Sequence, residues 1–66
     1  MDIKKKIDAI RANIDEILDY FGNEEDENRF TYCAMLSDTI KREAEQIGGF
    51  CRTMAIAQEV ERNKQG

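Results

Sequence analysis

Few side chains in this sequence could do chemistry: Cys33 and Cys51, the arginines Arg29, Arg42 and Arg52, and Tyr20. Catalysis needs a nucleophile, a base or a metal held in a water-poor pocket. There is no histidine and there are only two cysteines, so a zinc site would need carboxylates or a second chain to complete it. The expectation is a protein that is not an enzyme and carries no cofactor. The acidic run Glu24, Glu25, Asp26 and Glu27 lacks the alternating oxygen ligands, central glycine and final glutamate of a calcium loop. Guanidinium groups do bind phosphate bidentately. Arg29, Arg42 and Arg52, with Tyr20, are therefore the candidate binding residues for a small anionic, nucleotide-like ligand held between helices. The plainer reading of the arginines is a solvated helix face.

The cysteines fall on an apolar stripe, where a thiol behaves as a small, inert hydrophobe. On one straight helix they stand about 27 Å apart and cannot join. If two copies of that helix packed antiparallel about Arg42, Cys33 of one would approach Cys51 of the other. Two cysteines without a secretory signal point to a reducing cytosol, hence a cytoplasmic protein.

The elements that must carry these residues are written in the isoleucines. Ile3, Ile7, Ile10, Ile14 and Ile17, closed by Phe21, recur at alternating four- and three-residue steps, a heptad seam that needs a partner helix. The spacing predicts helix 1 over about 2–21. Asp2 is its expected N-cap and Gly22 its left-handed C-terminal stop. A turn is expected at about 22–25, where Asn23 would cap helix 2 and place the acids in its first turn. A linker this short implies an antiparallel hairpin.

Helix 2 is expected over about 26–62. Cys33, Leu36, Ile40, Ala44, Ile47, Cys51 and Met54 share one face and keep phase across Gly48 and Gly49, which favours one continuous helix over a break. Paired glycines cost about 2 kcal/mol of helix propensity, so a kink, a turn into a third helix, or close backbone approach must be weighed against continuity. Helix 1 should run out opposite residues 43–49. Phe50, Met54, Ala57 and Val60 then extend beyond its cover. Lys4, Lys5 and Lys6 at the start of helix 1 oppose its dipole, with Glu43 and Glu45 of helix 2, and Glu59 and Glu61 of a partner chain, as expected compensators. Met35, Ile56 and Val60, with Tyr20 and Phe30, form a possible second apolar patch.

A chain of 66 residues buries only about 60% of the surface its unfolded form exposes, and chains this small recover stability by disulfides, metals or oligomerisation. Oligomerisation is the route left open. The expected fold is thus all-α: a single helical hairpin, short helix then long helix, self-associating into a bundle through Ile7, Ile14, Phe21, Phe50, Met54, Ala57 and Val60. A net charge of −4 with 36% charged residues argues against nucleic acid, the one basic cluster being too small to offset repulsion from phosphate. The longest apolar runs are far too short to span a membrane, and Met1 to Lys6 leads into amphipathic helix with no signal-peptide core. The function implied is that of a small acidic interaction protein binding a partner macromolecule as a regulator or inhibitor. Such proteins include products of phages and mobile elements, an analogy from size and charge. A bundle sequestering an anionic ligand is the alternative.

Overall fold

The computed structural model describes residues 2–65, with side chains to residue 64. It is an all-helical hairpin of α1 (Ile3–Gly22) and α2 (Arg29–Gln65) in antiparallel contact. Asp2 caps α1 as its sequence position implies: its carboxylate accepts from the Lys5 N–H at 3.1 Å, satisfying one of the free donors of the first turn.

The turn differs from expectation. Gly22 is the last helical residue, and no described glycine has a positive φ. Asn23 closes α1 instead, at φ −94°, its N–H donating to Tyr20 O at 3.1 Å. Because Asn23 is used in this way, it cannot also begin the next helix. Its carbonyl accepts from Asp26 N at 3.1 Å, and the Asp26 carboxylate accepts from Asn28 N at 2.9 Å. Asp and Asn side chains favour such local turns over continued helix. The acidic run therefore lies in a six-residue loop, 23–28, and α2 starts at Arg29, with Asn28 O accepting its first bond from Tyr32 N at 3.0 Å.

From there α2 is unbroken through Gly48 and Gly49. The glycines meet different surroundings. A Cβ at Gly49 would touch nothing within 4 Å, whereas one at Gly48 would lie 3.1 Å from Arg52 Nη1, the end of a flexible side chain. Neither marks a close approach of α1. At 1.5 Å per residue α2 is about 55 Å long and α1 about 30 Å, and the molecule is accordingly a rod, 61 × 17 × 16 Å. Residues 50–64 are all exposed, so α2 loses its cover immediately after the glycines.

The helices meet along only half of the isoleucine seam. On α1 the partly covered residues are Ile3, Lys6, Ile10, Asn13, Ile17 and Tyr20; on α2 they include Arg29, Cys33, Leu36, Ile40, Glu43 and Ile47. Ile7, Ile14 and Phe21 stay outside the hairpin contact at 39%, 51% and 60% exposure, beside Leu18 at 71%. A single partner helix covers one line of a stripe, and this stripe is two lines wide. A lone hairpin therefore leaves Ile7, Ile14 and Phe21 of the seam without cover. No described residue is buried.

Candidate functional site

The antiparallel pair has two long sides, each defined by an aromatic contact near the turn. On one, Tyr20 and Tyr32 stack with ring centroids 4.8 Å apart at a 34° tilt. On the other, Phe21 and Phe30 meet edge to face at 6.0 Å and 77°. Tyr20 and Tyr32 open a shallow cleft continued by Met35, Leu36 and Thr39. Farther along the same side, Lys6 Nζ donates to Glu43 Oε2 at 3.0 Å and also to Gln46 Oε1. This pair answers the unfavourable placement of the lysines against the α1 dipole. Lys4 is held within its own helix, 3.5 Å from Asp8.

The Phe21 side is the more apolar. Ile7, Ile14, Leu18 and Phe21 form a continuous exposed line on α1, roughly 80° around the helix from the residues that touch α2, and Phe30 at 57% exposure extends it across the turn. These residues lie on rigid helix rather than loop. They are available to a partner without any rearrangement of the hairpin.

The candidate ligand arginines are not brought together. The Arg29 guanidinium sits 4.4 Å from the Phe30 ring centroid and 6.0 Å from that of Phe21, and donates to Phe21 O at 2.7 Å. It ties the start of α2 to the end of α1. Arg42 is exposed in mid-helix, and Arg52 lies on the uncovered segment, its guanidinium over Gly48. Along α2 these three stand about 20 Å and 15 Å apart in turn. Tyr20 belongs with Tyr32, on the side away from Phe30. The apolar patch expected from Met35, Ile56, Val60, Tyr20 and Phe30 is likewise divided. Met35 joins Tyr20, Phe30 joins Phe21, and Ile56 and Val60 line a shallow depression with Ala55, Glu59 and Asn63 on the uncovered segment.

Cys33 is half-covered and its thiol donates to Ile17 O at 3.7 Å. Cys51 is exposed, which corrects its placement on a buried stripe. α1 ends before reaching it. Phe50 and Met54, at 42% and 46% exposure, and Ala57 continue the hairpin face of α2 past the same point, while Val60 at 49% lies around the helix from them. Among the described residues no three metal-ligating side chains converge, and no helix is long and apolar enough to cross a membrane. Tyr32 was missed in the sequence reading. Its spacing of twelve residues from Tyr20, across a turn, carried no signal until the register of the hairpin was known. No protein-family model, curated protein or solved structure matches the chain.

Proposed function

We propose that this protein is a non-enzymatic interaction module, a helical hairpin that self-associates and acts by occupying a surface of another macromolecule, as a regulator or inhibitor does. The supporting observation is the absence of any buried residue among those described, together with the exposed line of Ile7, Ile14, Leu18 and Phe21. A single chain in this state has little to set against its conformational entropy. Covering a side chain of this size contributes roughly 1.5–3 kcal/mol, so association supplies what the hairpin lacks. The uncovered segment with Phe50, Met54, Ala57 and Val60 offers a second apolar surface for the partner. Sequestration of an anionic ligand has less support, because Arg29 is engaged at the turn and Arg42 and Arg52 stand apart.

Sedimentation equilibrium of the full chain, with affinity capture from its native host and mass spectrometry of the protein and small-molecule fractions, tests the reading. Self-association at micromolar concentration and an enriched protein partner are expected. Replacing Phe50 and Met54 together with alanine should weaken partner capture tenfold or more. A monomer that captures only a stoichiometric anion would overturn the proposal in favour of sequestration.

A further inference from the structure

We infer that a second copy of this chain docks on the Ile7, Ile14, Leu18 and Phe21 face with the two-fold axis parallel to the helices, giving a four-helix bundle with both turns at one end. This rests on the self-association proposed above and names its partner and its surface. On the side of the hairpin that carries Phe21 and Phe30, the helical period places Ala34, Ser37 and Ala44 of α2 beside the bulky line of α1. Beyond Phe30, which stands at the turn, one half of the face is a ridge and the other a groove. An axis parallel to the helices lays each α1 on the α2 of the other copy, ridge into groove, at two equivalent seams. An axis across the helices would set ridge against ridge and groove against groove.

The parallel axis also leaves no register to adjust, since every residue stands level with its own equivalent in the second copy. Heights therefore follow from the hairpin itself, where Lys6 is level with Glu43 at 3.0 Å and Ile17 with Cys33 at 3.7 Å. Moving along the antiparallel helices from Lys6 and Glu43, Lys4 comes level with Glu45, Asp8 with Lys41, and Arg11 with Asp38. These six lie on the outer flanks of their helices, out of reach of one another across the hairpin. In the two-fold pair the outer flank of α1 adjoins the outer flank of the other copy's α2. Positive then meets negative at each of these three levels, and again at the second seam. Ile7 and Ile14 come level, within about two residues, with Ala44 and Ser37 of the second copy, so the apolar fit is compatible with the register of the charge match. Such complementarity sets partner choice and orientation more than affinity.

The test is a charge exchange on exposed positions. One variant carries Lys4→Glu and Arg11→Asp, the other Asp38→Arg and Glu45→Lys, each with helicity checked by circular dichroism. Sedimentation velocity should show each alone weakened about 30-fold or more at low salt, because both seams then oppose like charges. Their equimolar mixture should form a mixed dimer of wild-type strength. Dimers indifferent to either double substitution, or weakened variants that do not recover on mixing, overturn this arrangement while leaving self-association standing. A wild-type chain that is monomeric throughout the micromolar range overturns both.

Discussion

Lys6 of α1 and Glu43 of α2 form an ion pair across the hairpin, 3.0 Å from Nζ to Oε2, with side chains only 24% and 22% exposed. Both occupy seam positions that an isoleucine or leucine would suit, so the pair helps set register at a place where apolar packing is interrupted. Replacing Lys6 alone with alanine should cost about 1 kcal/mol, since Glu43 is left largely covered and unpaired. Replacing both with leucine should restore or exceed wild-type stability. Urea unfolding of Lys6→Leu, Glu43→Leu and the double leucine variant, at one protein concentration, measures the coupling.

Ile10 and Ile14 sit one helical turn apart and should respond oppositely to aspartate. Ile10 lies in the hairpin contact and Ile14 is 51% exposed. Ile10→Asp puts an unpaired carboxylate between the helices, a penalty of several kcal/mol against a total stability of about 5–15. It should abolish helicity. Ile14→Asp should leave helicity largely intact at high concentration and lower the sedimenting mass. Equal loss of helicity in both would contradict the division of the seam into an inner and an outer line.

Glycine at position 49 serves no evident packing purpose, because a Cβ there meets nothing within 4 Å. Gly49→Ala should stabilise by about 0.5–1 kcal/mol through reduced freedom of the unfolded chain, which corresponds to a rise in Tm of about 4–8 °C per kcal/mol for a domain of this size. Gly48→Ala should gain less, since the Arg52 guanidinium must move aside from its 3.1 Å position. Thermal melts followed by circular dichroism separate the two.

How much of this was legible in the sequence depended on whether the signal was periodic or conditional. The isoleucine spacing specified an amphipathic α1, and Asp2 read directly as its cap. Continuity of phase from Cys33 to Met54 anticipated an α2 that passes through both glycines. Which line of the isoleucine stripe would face α2 was hidden, because Ile3, Ile10 and Ile17 belong to either choice. The selected line also includes Lys6 and Asn13, polar residues that an apolar count ignores. The turn was misread for a similar reason: Asn23 suits the end of one helix and the start of the next, and only the position of the Asp26 and Asn28 bond decides between them. The arginines carried a chemical possibility with no geometry. Their separation appears once the helix is drawn to length.

Arg29 should matter more at the turn than its neighbours on the surface. It bridges Phe21 O, at 2.7 Å, and the face of Phe30, at 4.4 Å. Arg29→Ala should cost about 1–2 kcal/mol from the lost charge-assisted bond and ring contact. Arg29→Lys should recover only part of this, because an ammonium cannot present a flat face to the ring while reaching the carbonyl. Denaturant midpoints of the two variants are the measure.

The helix beyond Gly49 has a consequence for how the protein can be observed. Its backbone bonds are intact, yet no α1 residue lies over residues 50–64, all of which are exposed. A helical stretch of about 15 residues with no tertiary support is marginal in water, so its amides should exchange with deuterium quickly in a lone chain and slowly when another surface lies against it. Arg52, Arg62 and Lys64 place tryptic cleavage sites within this same stretch. Amide exchange and limited digestion of the C-terminal quarter thus act as an occupancy gauge for whatever binds there, while α1 and the first half of α2 supply the unchanging baseline.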